Sequence, residues 1–299
     1  MAETKIVLVT GSSGFIGSHI SKKISIKDEV ICIDKVSNAN NKHCTFIKGD
    51  LGNSKTLEKI QRKVDFVFDF GSPSSQRLFE KDPSNLTSNT IRGFINILEF
   101  CKNKGVSKLI YPSSGTVYGN SIGSESKRLE PMNHYASVKL FYESIAQAYS
   151  NYFSSVGLRI FMGYGPREER KGDIGSPAFL FLRDILAGKQ PIIWGDGLQQ
   201  RDLVYIDDIV DAAINSSFKK TPKFIDVGTG NTTNFIELLN IISKVAGKDI
   251  KPVFVNAPAG YQTKTRADPE QFIKLIGRNP VQAEEGIKKF YNYLMETQV

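Results

Sequence analysis

The 299-residue sequence holds few of the residues that build disulfide scaffolds or zinc sites: three cysteines, three histidines and one tryptophan. Cys32, Cys44 and Cys101 are an odd number without short spacing and the histidines are dispersed, so neither a disulfide framework nor a metal site is expected. No apolar run approaches the roughly 18 residues of a membrane span. The first one, Ile6 to Val9, has neither a leading basic region nor a small-residue cleavage pattern. The expectation is therefore a cytoplasmic protein in a reducing compartment, with no membrane partner. The 39 basic residues exceed the 31 acidic ones, for a net charge of +8. They are scattered in pairs such as Lys22-Lys23 and Lys288-Lys289 rather than gathered in a stripe with aromatics. That argues against nucleic acid as a partner and suits a phosphorylated small molecule.

What the chain does have is alternation. Apolar, β-branched runs at 6–10, 29–34, 45–48, 65–70, 108–111 and 156–161 are too continuous for half-exposed hairpin strands and read as a buried parallel sheet. Between them Ile91, Phe94, Ile95 and Leu98 share one helical face, as do Val138, Phe141, Tyr142, Ile145 and Tyr149. Repeated strand-helix alternation predicts an α/β fold, a doubly wound parallel sheet with helices on both faces. Glycines and prolines interrupt the sequence beyond Phe161, so a first domain is placed at 1–162 and a smaller α/β domain at 163–299. Residues 202–228, with strand runs at 203–206 and 224–227, are expected to return to the first sheet.

Directly after the first strand run stands Gly11-Ser12-Ser13-Gly14-Phe15-Ile16-Gly17. Gly11 permits a tight strand-to-helix turn, Gly14 lets backbone amides approach a pyrophosphate at the positive helix end, and Gly17 lets helix and strand pack closely. By itself this spacing also fits a βα turn without a ligand. Asp34 closes the second strand run, where a carboxylate accepts hydrogen bonds from both hydroxyls of an adenosine ribose. A 2′-phosphate would meet that negative charge, tempered only by Lys35, so NAD is preferred to NADP. The competing reading of Asp34 is a strand-end carboxylate capping the next turn.

Tyr135 and Lys139 are four apart on a predicted helix, which puts the ammonium near enough to stabilise a phenolate and lower its pKa. With 11 tyrosines in this lysine-rich chain about one such spacing arises by chance. Ser113-Ser114 at the end of the fifth strand run adds weight, because carboxyl ends of parallel strands are where open α/β sheets place ligands.

Together these pieces resemble the extended short-chain dehydrogenase/reductases, the group of nucleotide-sugar epimerases, dehydratases and decarboxylases. Thr10 to Gly17 is similar to their TGxxGFIG loop. The likeness continues through Gly49-Asp50-Leu51, Val64 to Phe68, Asp82-Pro83 with Asn89 and Gly93, Tyr111 to Gly119, Tyr135 to Lys139, Gly163 to Arg167, Gly195 to Gly197 with Gln200 to Asp202, and Arg266 to Asp268. The resemblance implies a Rossmann-type NAD-binding domain followed by a nucleotide-sugar domain, and a homodimer formed through helices near 84–104 and 135–152. It implies that Asp50 and Leu51 flank the adenine, that Phe70, Gly71 and Ser72 line the pyrophosphate and nicotinamide ribose, and that Phe15, Ile16, Asn89 and Ser113 complete the cofactor set. Lys139 would hold the nicotinamide ribose, Tyr135 would exchange a proton with a sugar hydroxyl, and Ser114 would bind the same oxygen. Thr116, Met162, Arg201 and Arg266 would join Ser114 and Tyr135 on the substrate.

The reaction is read from the residues after Ser114. Dehydratases of this group carry Asp-Glu at 115 and 116 and decarboxylases a glutamate there; Gly115 and Thr116 supply no carboxylate. The Ser-x-Thr-Val-Tyr-Gly run is similar to the 4-epimerases, so the expectation is NAD-dependent 4-epimerisation of a nucleoside-diphosphate sugar, of UDP-glucose/UDP-galactose type. Three departures concern the substrate half: Phe161-Met162 where Phe-Asn is frequent, Pro258 before Gly260 where an arginine is frequent, and Asp69 in place of a usual histidine. Arg201, Arg266, Lys264 or Arg167 are the candidates to replace the missing diphosphate anchors. Alternatives are another NAD-dependent nucleotide-sugar enzyme, a dehydratase, decarboxylase or reductase, or a non-catalytic nucleotide- or RNA-binding member of the fold.

Overall fold

The computed structural model describes residues 4–37, 43–119, 128–257 and 262–297. Strands β1 (Ile6–Thr10), β2 (Glu29–Asp34), β3 (Thr45–Lys48), β4 (Phe66–Asp69), β5 (Lys108–Ser114) and β6 (Ser154–Ile160) match the predicted runs within a few residues. They are followed by β7 (Met162–Tyr164), β8 (Ile192–Trp194), β9 (Gln200–Tyr205), β10 (Phe224–Val227), β11 (Thr232–Asn234) and β12 (Val253–Val255). The helices are α1 (Phe15–Ile24), α2 (Lys55–Glu58), α3 (Gln76–Lys81), α4 (Pro83–Lys104), α5 (His134–Ala148), α6 (Pro177–Leu186), α7 (Ile206–Phe218), α8 (Phe235–Ala246), α9 (Glu270–Ile276) and α10 (Ala283–Thr297). None is long and apolar enough to cross a membrane.

Seven parallel strands form one sheet in the order β10-β6-β5-β4-β1-β2-β3. Both faces are buried, because successive side chains of each strand alternate between two cores. Val7, Val9, Val30, Cys32, Phe68, Ile110 and Leu158 lie in one core with Ile20 of α1 and Ile209 of α7. Leu8, Ile31, Ile33, Val67, Leu109 and Tyr111 lie in the other, under Phe94 and Leu98 of α4 and Val138 and Tyr142 of α5. The chain leaves β1 for β2 on one side and returns through β4 on the other, so a crevice opens between the carboxyl ends of β1 and β4, the switch point where such sheets bind ligands. Caps fix where the flanking helices begin: Asp82 accepts the Asn85 amide at α4 (3.3 Å), and Asn133 accepts the Ala136 amide at α5 (2.9 Å).

Two expectations are corrected. Of the strand runs thought to rejoin the sheet only β10 does so, beside β6. With that edge occupied, the 203–206 run becomes part of β9 in a separate three-stranded sheet, parallel to β7 and antiparallel to β11. The structure also joins Cys32 to Cys44 as a disulfide, with Cα atoms 6.1 Å apart, leaving Cys101 a buried free thiol. Twelve residues of separation hid this pairing, which parallel neighbouring of β2 and β3 creates, Ile31 standing opposite Thr45.

Candidate active site

The turn after β1 is built by its glycines. Gly11 has φ +63°, and a Cβ there would collide with the Phe70 carbonyl of the neighbouring strand end; a Cβ on Gly17 would collide with the Gly11 carbonyl. Gly14 is less crowded, its nearest neighbour being 3.1 Å from a Cβ. The result is a bare backbone arch leading into the amino end of α1, the shape and polarity that an anionic pyrophosphate fits. Asp34 Oδ2 accepts the Ser13 amide (3.0 Å) and Oδ1 the Val36 amide (3.1 Å), so the carboxylate is locked beside the loop and caps its own turn as well. Lys35, the residue that would temper a 2′-phosphate, is instead ion-paired with Asp50 at 2.9 Å. Burial raises the Asp50 carboxyl, but the Gly52 amide, Lys35 and Asn89 outweigh it and hold it below the usual range.

Below the arch runs a cleft of ≈ 1020 Å³ between the parallel sheet and the C-terminal elements. Phe15, Ile16, Phe70, Ser72, Thr116 and Met162 line it, together with Ser113, Ser114, Tyr135 and Lys139. Ser114 ends β5, and its hydroxyl accepts the Thr116 amide (3.2 Å) and hydroxyl (3.0 Å). Tyr135, in the first turn of α5, is hydrogen-bonded to Ser114. Lys139, one turn on and 2% exposed, donates to the Ser72 hydroxyl at 2.7 Å. Its ammonium stands 5.7 Å from the Tyr135 ring centre and 4.9 Å from that of Tyr142. Burial lowers the Lys139 pKa to about 8 against the support of Asp69. Burial raises Tyr135 above the ordinary phenol, with Ser114 opposing. In this structure the ammonium donates to Ser72, and desolvation is the largest influence on the phenol.

Several predicted residues are placed less directly. The Ser113 hydroxyl donates to Glu143 Oε1 (2.5 Å), while the residue still lines the cleft. Asn89 braces Asp50, and Leu51 presents its side chain to Gly71 while its carbonyl accepts Asn96 Nδ2 (2.7 Å). Arg201 is buried in the cleft wall, donating to the Gln200 (2.9 Å) and Gln262 (2.7 Å) carbonyls. Its neighbour Asp202 fixes the strand by accepting the amides of Thr229 (2.7 Å), Gly230 (2.9 Å) and Ala267 (3.1 Å). Arg266 is exposed away from the cleft and donates to the Gly230 carbonyl, Arg167 turns to the Ser18 carbonyl of α1, and Lys264 bridges to Gln200. Of the four candidate diphosphate anchors only Arg201 is in the cleft wall. Pro258 and Gly260 lie outside the described residues.

Two cleft features had no signal in the sequence. Arg77 of α3 stacks on Trp194 of β8, 4.1 Å from the ring centre, and donates to the Asp173 carbonyl (3.0 Å), closing one end of the cleft across its two halves. The turn Glu168–Ile174 lies over the glycine loop, with Arg170 donating to the Ser13 carbonyl (2.8 Å) and Lys171 4.3 Å from the Phe15 ring centre.

A doubly wound sheet, a glycine arch with a carboxylate at the next strand end, and a serine-tyrosine-lysine set facing the same cleft define a dinucleotide-dependent enzyme of the Rossmann class. Residues 7–228 match the NAD dependent epimerase/dehydratase family, and the chain belongs to that family. Its cofactor is NAD. A putative UDP-glucose 4-epimerase of Methanocaldococcus jannaschii is 30% identical over 97% of this chain and 98% of its own length. The solved UDP-N-acetylglucosamine 4-epimerase of Methanobrevibacter ruminantium, in complex with UDP-N-acetylmuramic acid, superimposes with a TM-score of 0.91 at 30% identity, over 99% of this chain and 100% of that one. A UDP-glucuronic acid 4-epimerase of Bacillus cereus, solved as a mutant with UDP-4-deoxy-4-fluoro-glucuronic acid and NAD, gives 0.87 at 27% identity over 98% and 99%.

Proposed function

We propose that this chain is a UDP-sugar 4-epimerase whose acid-base residue is Tyr135. The observation that carries the reading is the ring of groups around that phenol: Ser114 bonded to it, Thr116 bonded to Ser114, and no carboxylate at 115 or 116. Elimination or decarboxylation needs a second acid-base group at that place, whereas 4-epimerisation needs one. The other carboxylates lining the cleft are engaged: Glu80 by Gln76, Glu168 by Ser176 and Lys171, Asp173 and Asp184 by Arg183.

The glycine arch and Asp34 would hold the pyrophosphate and adenosine ribose of NAD, and Lys139 the nicotinamide ribose. Bound NAD supplies the redox chemistry, a reversible hydride exchange with sugar carbon 4 through a transient 4-keto sugar. The chain's residues manage the proton and the geometry. Tyr135 Oη takes the proton of the C4 hydroxyl and returns it. Ser114 Oγ, steered by Thr116, holds the same oxygen. The Lys139 ammonium, joined by the positive nicotinamide ring, offsets the burial that otherwise keeps Tyr135 a neutral phenol. Arg201 would anchor the diphosphate.

The relatives act on UDP-glucose, UDP-N-acetylglucosamine or UDP-glucuronic acid, so the test is a panel of these three with purified protein and no added cofactor, followed by NMR. Formation of the C4 epimer from one of them without net oxidation supports the proposal. Release of water or carbon dioxide, or turnover only with added NAD consumed in proportion, overturns it.

The same reading includes a homodimer. A shallow groove lined by Thr87, Ile91 and Ile95 of α4 and His134 of α5 is the apolar face that a second copy would cover. Sedimentation at twice the chain mass is expected, and loss of that species on Ile91→Glu.

A further inference from the structure

The turn Glu168–Ile174 keeps its charges apart. Its acids are engaged away from the glycine loop: Glu168 is buried and accepts the Ser176 amide (2.7 Å) and hydroxyl (2.9 Å), Glu169 accepts the Tyr293 hydroxyl of α10 (3.1 Å), and Asp173 Oδ1 accepts Arg183 of α6 (2.7 Å). Its bases reach the loop. Arg170 Nη1 donates to the Ser13 carbonyl (2.8 Å), and the Lys171 ammonium stands 4.3 Å from the ring centre of Phe15, the first residue of α1. The two cations thus bracket the stretch from Ser13 to Phe15, and both line the cleft with Gly14, Phe15, Ile16 and Gly17. No side chain caps that end of α1. These contacts leave donors to spare: Arg170 gives one N–H to Ser13, and Lys171 one to Glu168 (3.2 Å) beside its contact with the Phe15 face.

We propose that Arg170 and Lys171 are the cationic wall of the dinucleotide's pyrophosphate site, facing the glycine arch across the bound phosphates. A helix end and its amides offer only about half an elementary charge, whereas each phosphate of the pyrophosphate carries a full negative one. A guanidinium and an ammonium supply the balance through charge-assisted hydrogen bonds. Because Glu168, Glu169 and Asp173 tie the turn down from behind, the wall stands ready before the ligand arrives and little ordering is left to oppose binding. The inference rests on reading the arch as the pyrophosphate site of NAD and adds the side opposite. No spacing in the glycine motif points to it, since Arg170 lies 157 residues beyond Ser13.

The test uses the full chain, freed of nucleotide, and two ligands that differ in the group at issue: ADP, which carries the adenosine and pyrophosphate of NAD, and adenosine, which lacks the phosphates. Calorimetry reads ADP and NAD, and ligand-observed NMR reads adenosine. Arg170→Gln and Lys171→Gln are each expected to weaken ADP and NAD about 10-fold, and the double variant about 100-fold, with adenosine held within about twofold. Acetylation of Lys171 in the unmutated chain, followed by mass spectrometry, covers the case in which a variant does not fold: ADP is expected to slow it about tenfold and adenosine to leave it unchanged. ADP affinity of the double variant within about twofold of wild type, a loss of adenosine equal to the loss of ADP, or Lys171 acetylation indifferent to ADP overturns the proposal. A wild type that binds adenosine as tightly as ADP would strike the placement of the pyrophosphate on the arch, and this wall with it. No sugar enters these measurements, so failure on the UDP-sugar panel would strike the epimerase reading and leave this one standing.

Discussion

Arg159 grips Glu143 with two prongs behind Ser113 and Ser114: Nε to Oε1 at 2.8 Å and Nη2 to Oε2 at 2.7 Å. The pair joins β6 to α5. Through Ser113 it reaches β5, and through Tyr118 (2.6 Å from Arg159) it reaches Asp226 on β10 (2.7 Å). The helix that carries Tyr135 and Lys139 is thereby pinned to the strand that carries Ser114. Removing one partner strands a buried charge, so Glu143→Ala should cost about 3–5 kcal/mol of stability in urea unfolding. A loss below about 1 kcal/mol would show that the pair holds nothing in place.

Gly17 and Gly14 should differ sharply when changed to alanine. At Gly17 the added methyl meets the Gly11 carbonyl, so Gly17→Ala is expected to cost about 1–3 kcal/mol and to lose bound NAD. At Gly14 the nearest atom is 3.1 Å away and a small shift relieves it, so Gly14→Ala should keep the fold. Melting temperature and cofactor content of the two purified variants, taken together, decide the point.

Arg201 and Arg266 look equivalent in sequence and are not equivalent in space. Losing a charge-assisted contact to a diphosphate is worth about 1.5–3 kcal/mol. Arg201→Ala should therefore raise KM for the UDP-sugar about 10- to 100-fold with cofactor content unchanged, and Arg266→Ala should leave KM within about twofold. Steady-state kinetics with equal KM effects for both would contradict the placement.

The pH dependence follows from Lys139, whose pKa drops from the ordinary 10.5 to about 8 in the fold. Between those values the unfolded chain binds more protons at this site than the folded chain, so this group makes stability rise with pH across that window. Activity runs the other way, falling as pH climbs through about 8 and the ammonium is lost. Unfolding free energy and kcat measured over the same pH series should show opposite slopes there.

Much of this was legible in the chain itself. The first six strands and α6 declare themselves through continuous apolar runs, caps and proline at the helix start, because local pattern and burial agree there. Spacing from strands and within a helix singles out Asp34, Tyr135 and Lys139, which the fold brings to the glycine loop and the cleft. What the sequence hid depends on distant partners: β8 and β12, three residues each, exist only by pairing with one another, and β9 is a strand whose sheet no local pattern names. The Arg77–Trp194 stack and the Arg170 contact to the glycine loop join segments more than 100 residues apart without a motif. Residue type and position along the chain do not reveal which way a side chain turns: Ser113 gives its hydroxyl to Glu143, and Arg266 its guanidinium to the Gly230 carbonyl.

If a single phenol moves the proton of the sugar hydroxyl, Tyr135→Phe abolishes that transfer with the loss of one oxygen. On whichever UDP-sugar the wild type epimerises, with cofactor content matched, turnover followed by NMR should fall about 10²- to 10⁴-fold, the range for removal of a general acid-base group. Turnover within about twofold of the wild type would contradict it.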